Sequence, residues 1–197
     1  HRGIEKLAEH RRYDAVGTLM DRGDYVSGMM GELAFALAAE QLMDVEVPRK
    51  AHWLRSLASE LNRLASHLVW YGTFGLDTGA MGQFLYAMRD REAILDILEA
   101  LSGQRMMFNY IRPGGVVNDL PVGLAEKIRT FLSTFDMYLD EHDQLLGGNE
   151  IFQARVKGIG AIDREMALAF GLTGSHLAAE PFCVYQPEGA PSASFRP

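Results

Sequence analysis

Apolar residues recur along this chain at helical spacing, most clearly near its middle. Leu54, Leu57, Leu61, Leu64 and Leu68 fall three and four positions apart, one stripe of a helix predicted over residues 51–70. At about 100° per residue, Glu60 and His67 border that stripe and Arg63 lies a little further round. Before it, residues 25–43 are rich in Leu, Ala, Met and Phe with few charges, which predicts a buried helix stopped by Pro48. After it, the glycine-rich residues 72–82 read as a break. A third helix is predicted over residues 84–101, carrying Ile94, Leu95, Ile97, Leu98 and Leu101, with Gly103 as its stop.

The rest of the chain follows the same logic. Ile4, Leu7 and Ala8 make a short amphipathic turn at the start. Residues 110–121 contain Pro-Gly-Gly and read as a loop. A fourth helix over residues 122–146 should turn Ile128, Phe131, Leu132, Phe135 and Leu139 inward and end at Gly147 and Gly148. Asp163 caps a short helix over residues 163–171. Beyond Ser175 the composition turns to Pro, Ala and Ser, and poor order is expected there. The fold class expected is mainly α, a helical bundle with long functional loops.

Composition narrows the function classes. The chain has 197 residues, 48 % hydrophobic and 23 % charged, which describes a globular protein of one domain or one and a half. A net charge of -7 argues against nucleic acid as a partner, because phosphate binding needs a basic surface. Cys183 is the one cysteine, so the chain alone can hold neither an internal disulfide nor a thiolate-ligated cluster. A reduced compartment fits that usage. No run of 18 apolar residues is present and no signal peptide is visible. The chain opens at His1 in sequence already helical in character, so an internal piece of a longer protein is expected.

Motif chemistry gives mostly exclusions. There is no CxxC, HExxH or GxSxG pattern, and "RPGGV" lacks the lysine and setting of a P-loop. Glu60, Arg63 and His67 share one side of a helix, where a solvated edge with an ion pair is the plain reading. Asp77 sits in the glycine-rich stretch, either capping the following helix or lining a cavity where burial would favour its protonated form. Tyr25, between Asp24 and Ser27, is either a packed helix-start residue or a donor. A phenol with a reference pKa of about 10 keeps its proton at neutral pH and can donate to a carbonyl oxygen. Arg22 to Asp24 spell an adhesion tripeptide, which three residues without a secretion signal do not support.

Taken together, "HRGIEKLAE", "DRGDYVSGM", "ELNRLASHLVWYGTFGLDTGAM", "REAILDILEALSGQRM" and "YIRPGGVVNDLP" resemble the family of D-type subunits of NADH–quinone oxidoreductase. This is the quinone-pocket core subunit of respiratory complex I. The resemblance covers residues 1–174 in the expected order, leaving 175–197 as a divergent or truncated tail. The family is related to the large subunit of nickel–iron hydrogenases. Where those carry a nickel-binding cysteine pair, Asp24 and Ser27 stand here, and neither offers a soft thiolate. By resemblance the vacated pocket receives the quinone headgroup. Tyr25 matches the tyrosine that hydrogen-bonds a quinone carbonyl, and Asp77 the acidic residue that partners a histidine from an upstream loop. Arg2 and Arg22 match arginines near the terminal iron–sulfur cluster of the neighbouring small subunit.

The resemblance implies electron transfer from that cluster to ubiquinone or menaquinone within a proton-pumping complex, with NADH bound only by partner subunits. Its implied partners are the iron–sulfur small subunit, other peripheral-arm subunits and the membrane-arm quinone-channel subunit. The implied location is peripheral, on the cytoplasmic face of the bacterial inner membrane. Met107 departs from the family, standing where many members have a histidine beside the cluster. Methionine does not titrate, so a lower cluster potential with weak pH dependence is expected. Full one-proton coupling would give about 59 mV per pH unit, and a redox titration of the assembled complex reads the slope. The tail is the second departure. Two other readings stay open: a homologous subunit of a ferredoxin- or coenzyme F420-driven quinone reductase, and an inactive helical scaffold. The chain is not expected to be active in isolation.

Overall fold

A computed structural model describes residues 3–172 of the chain. Arg2, Cys183 and the tail over residues 175–197 lie outside the described residues. The architecture is mainly α, as the spacing of apolar residues indicates. In order it contains α1 (Ile4–Glu9), α2 (Tyr13–Met20), α3 (Gly28–Met43), α4 (Arg49–Asp77) and α5 (Met81–Ser102), then a small hairpin of β1 (Ile111–Arg112) and β2 (Gly115–Val116). After it come α6 (Leu124–His142), a π-helical turn (Asp143–Gly147), α7 (Glu150–Val156) and α8 (Arg164–Ala169). Among the described residues, those up to Phe152 form one compact unit and those from Gln153 a second, with α8 in the latter.

The long helix α4 organises the first unit. Its buried positions repeat every seven residues: Ala51, Ala58, Ala65 and Gly72 in one row, Leu54, Leu61, Leu68 and Gly75 in the other. Small and large side chains thus alternate along one seam, the pattern of closely packed helices. That repeat corrects the expected end of the helix, which runs to Asp77 rather than to 70. Gly72 and Gly75 do not break it. A Cβ on Gly72 would come within 3.1 Å of the Ala87 Cβ, and one on Gly75 within 3.0 Å of the Gln83 Cγ. The glycines let α5 approach, and the real break is only Thr78 to Ala80, before α5 begins at Met81.

The core gathers Leu61, Leu68, Ile94, Leu98, Phe108 and Tyr110 with α6 residues Leu124, Ile128 and Phe131. Leu132 and Leu139, expected inward, are instead 47 % and 48 % exposed, so the buried face of α6 is narrower than its apolar content implied. Three further details differ from expectation. The helix α3 starts at Gly28, which leaves Tyr25 in the preceding turn. It ends at Met43 with Asp44 in the left-handed conformation, and Pro48 is the N-cap of α4 rather than the stop of α3. The Pro-Gly-Gly loop closes an antiparallel pair in which Ile111 faces Val116 and Arg112 faces Gly115. Asp163 does cap α8, its Oδ1 accepting from the Met166 N–H at 2.8 Å.

Candidate functional site

The turn over residues 21–27 links α2 to α3 and displays Tyr25 at 63 % exposure. Its flanks are fastened by polar atoms. On one side Asn62 of α4 accepts from the Met29 N–H through Oδ1 at 3.1 Å and donates through Nδ2 to the Val26 carbonyl at 3.3 Å. On the other, a Cβ on Gly31 would stand 2.6 Å from the Met20 carbonyl oxygen, so only glycine lets the end of α2 lie against α3. Ser27 is buried and makes no capping hydrogen bond, whereas Asp24 and Arg22 are exposed. The Arg22 guanidinium donates back to the Thr18 carbonyl.

The third wall is the segment leading into β1. Met107 and Asn109 both take positive φ, 56° and 47°, on either side of buried Phe108. Left-handed backbone is unfavourable for methionine, and here it turns three successive amides in one direction. The Asn109 N–H donates to Asp21 Oδ2 at 3.1 Å, and the Tyr110 and Ile111 N–H groups both donate to Glu32 Oε2, at 2.9 and 2.6 Å. The segment that carries Met107 is thereby tied to Asp21, at the start of the turn that carries Tyr25. Burial first, then contact with the Asp21 carboxyl, push the Glu32 carboxyl up to about 9.

Further along α3, Glu40 meets Arg55 of α4 in a buried ion pair, with side chains 6 % and 2 % exposed. Arg55 also donates to the Gly115 and Arg112 carbonyls at 3.1 and 2.8 Å, while Glu40 accepts from the Gly114 N–H at 2.7 Å. Burial alone would raise the Glu40 carboxyl, but the Arg55 and Gly114 donors outweigh it and hold it below the ordinary carboxylate value. Two carboxyls of one helix therefore grip both ends of the hairpin.

Asp77 does not join this group. It ends α4, exposed, about 22 Å along the helix axis from Asn62 at 1.5 Å per residue. No hydrogen bond among the described residues connects it to Tyr25, and it is neither the cap of α5 nor a buried cavity carboxylate. Glu60 and Arg63 form the expected surface pair at 3.2 Å, and His67 is exposed. A cleft of about 940 Å³ lies between α2, the end of α3 and β1, lined by Tyr13, Gly17, Leu42, Met43 and Ile111. It shares Asn109 with the site but none of the residues expected to act on quinone, so the cleft and the candidate chemistry are different places. Sequence reading misses Asp21, Glu32, Glu40, Arg55 and Asn62. The available signal is isolated charge: Glu32 and Glu40 interrupt an otherwise apolar helix, and Arg55 and Asn62 sit beside the seven-residue repeat.

The structure is a mainly α bundle with one small hairpin, and comparison with known proteins places it in a family. The family model of the respiratory-chain NADH dehydrogenase 49 kDa subunit matches residues 77–181. The chain is 46 % identical over 179 residues to the D-type subunit of the NADH-quinone oxidoreductase of Clostridium beijerinckii, covering 91 % of this chain and 48 % of that one. It is 46 % identical over 179 residues to the D-type subunit numbered 2 of Chloroflexus aurantiacus, covering 91 % and 44 %. It is 44 % identical over 195 residues to the D-type subunit of Bacillus mycoides, covering 94 % and 53 %. The chain belongs to the respiratory-chain NADH dehydrogenase 49 kDa subunit family, and it spans about half the length of the curated relatives it matches.

Proposed function

We propose that this chain supplies the quinone-facing part of the 49 kDa-type subunit in a NADH–quinone oxidoreductase, with Tyr25 donating a hydrogen bond to a quinone carbonyl oxygen. The observation that carries this reading is the exposure of Tyr25 on a turn fixed by Asn62 and Asp21. A donor held in place before the reaction stabilises charge that develops on the oxygen as electrons arrive, without reorganising. The electrons come from the iron–sulfur cluster of the neighbouring small subunit, and two of them with two protons convert the quinone to quinol. Tyr25 holds the proton at the oxygen. Asp77, exposed at the end of α4, is the acidic residue that the family resemblance pairs with a histidine of an upstream loop. Arg22 in the turn and Met107 in the neighbouring segment are the residues that would face that cluster.

Residues 1–174 form the helical domain in this reading and 175–197 a divergent tail. Exposed Trp53, Trp70 and Leu85, at 60 %, 62 % and 59 %, suit coverage by partner subunits of the peripheral arm and by the membrane-arm quinone-channel subunit. The chain would lie peripherally on the cytoplasmic face of the bacterial inner membrane. No helix among the described residues is long and apolar enough to cross a membrane. Coupling of quinone reduction to proton pumping belongs to the whole complex.

The test is Tyr25→Phe in the assembled complex. Loss of one preplaced donor should lower quinone reduction by about 10²-fold while NADH oxidation by a soluble dye is unchanged. Unaltered quinone reduction would refute the role of Tyr25. Failure of both activities to appear in the intact complex would favour the scaffold reading.

A further inference from the structure

The pair Asp21 and Glu32 is buried to 0 % and 1 % exposure, and its two carboxyl groups lie in hydrogen-bonding contact. Each has one oxygen accounted for. Asp21 Oδ2 accepts from Asn109, and Glu32 Oε2 accepts from Tyr110 and Ile111. The other two oxygens, Asp21 Oδ1 and Glu32 Oε1, are buried with no partner. Buried polar atoms in folded proteins are almost always satisfied, and two facing ionised carboxylates would leave both of these orphaned and mutually repelling. One proton between them satisfies both at once.

We propose that Asp21 and Glu32 share a single proton, Glu32 Oε1–H donating to Asp21 Oδ1, and that this buried acid pair positions the Tyr25 turn. The surroundings match a pair of charge minus one. Three successive backbone amides face it, a concavity suited to one anion. Asp21, from the turn after α2, is the charged side chain in hydrogen-bonding contact with Glu32. The 107–111 segment contributes amides and the buried Tyr110, whose hydroxyl donates to the Asn118 carbonyl, and the neutral Asn62 of α4 bonds the backbone of Val26 and Met29, between the two acids in sequence. Arg55, the buried cation of α4, is committed to Glu40 about two turns along α3. The proton thus ties together the turn, α3 and the segment carrying Met107. Losing it would set two anions against each other at the base of the turn.

The proposal deepens the quinone reading, which supplies its functional consequence, but the proton itself can be observed independently. Infrared spectroscopy of the assembled complex should show the C=O stretch of a buried protonated carboxyl at neutral pH, sensitive to deuterium exchange. The band should fade as pH approaches about 9, and it should be missing in Glu32→Gln. Glu32→Gln keeps the donor to Asp21 Oδ1, so its quinone KM should stay within about twofold of the parent and lose its rise at alkaline pH. Glu32→Ala, which leaves Asp21 Oδ1 without a donor, should raise KM at every pH. If a variant does not assemble, the parent band and its titration decide alone. A band that persists in Glu32→Gln, or no protonated carboxyl at neutral pH, overturns the shared proton. Equal pH dependence of KM in parent and Glu32→Gln overturns its positioning role. Unaltered quinone reduction in Tyr25→Phe with the band intact would instead sink the quinone reading and leave the acid pair standing.

Discussion

Glu32 and Glu40 are the same residue type on the same face of α3, both buried, both accepting amides from the hairpin region. Their chemistry is opposite. Glu40 has Arg55 and is held below the ordinary carboxylate range; Glu32 has Asp21 and is pushed up to about 9. What differs is the sign of the charged side chain that each one hydrogen-bonds, Arg55 for Glu40 and Asp21 for Glu32. Burial makes a carboxyl sensitive, and the partner decides the direction. The first arrangement fastens β1 to β2 with a permanent charge pair. The second places a titratable junction beneath the turn that displays Tyr25.

The largest break is expected at the paired carboxyl. Arg55→Met keeps much of the side-chain volume but leaves Glu40 buried without its cation and the Gly115 and Arg112 carbonyls without their donor. Breaking a buried pair by removing one partner costs about 3–5 kcal/mol. A denaturant titration followed by circular dichroism should show a midpoint lowered to match. Glu40→Gln with Arg55→Met together should recover part of that loss, since no charge then stays buried alone. Equal stability of Arg55→Met and the parent would mean that the hairpin is held some other way.

A smaller effect is expected where the acid pair is assembled. Gly31→Ala puts a methyl 2.6 Å from the Met20 carbonyl, a backbone atom that cannot swing aside. The end of α2 must shift, and overpacking of this kind costs about 1–3 kcal/mol. Because Asp21 follows Met20 directly, the shift should also separate Asp21 from Glu32. The variant is therefore expected to lose stability and, in the assembled complex, to raise the quinone KM. Gly82→Ala, at a position with open space around its Cβ, is the control and should change neither.

Sequence reading reaches the apolar half of this picture and little of the polar half. Period and composition are enough for the Leu stripe of α4, the buried residues of α5 and the cap at Asp163, because those depend on neighbours three or four residues away. Gly72 and Gly75 look like a break in sequence because their role depends on Ala87 and Gln83 of another helix. The polar fastenings are more distant still: Asp21 meets Asn109 across 88 residues and Glu32 meets Tyr110 across 78. No periodicity reports such a pairing. Tyr25, Asp24, Ser27 and Asp77 stand out only through family resemblance. The structure gathers the first three on one turn and leaves Asp77 apart.

The finest distinction between the two carboxyls is the side of the pH scale on which each weakens the fold. Glu32, raised in the folded state, contributes stability that is fully present below its ordinary value of 4.5 and lost as pH rises toward about 9. Glu40, lowered, contributes stability that is present above 4.5 and lost as pH falls through its folded value. Stability against pH should therefore fall on both limbs, each owed to a different residue. Glu32→Gln should flatten the alkaline limb between neutral pH and about 9 while leaving the acid limb in place. Below about 4.5 it should change the midpoint little, because the amide reproduces the donor that the protonated acid supplies; at neutral pH it should raise the midpoint, because the parent has by then lost part of that contribution. An alkaline limb as steep in Glu32→Gln as in the parent would assign it to another group. The contrast between the two carboxyls would then rest on geometry without a consequence for the fold.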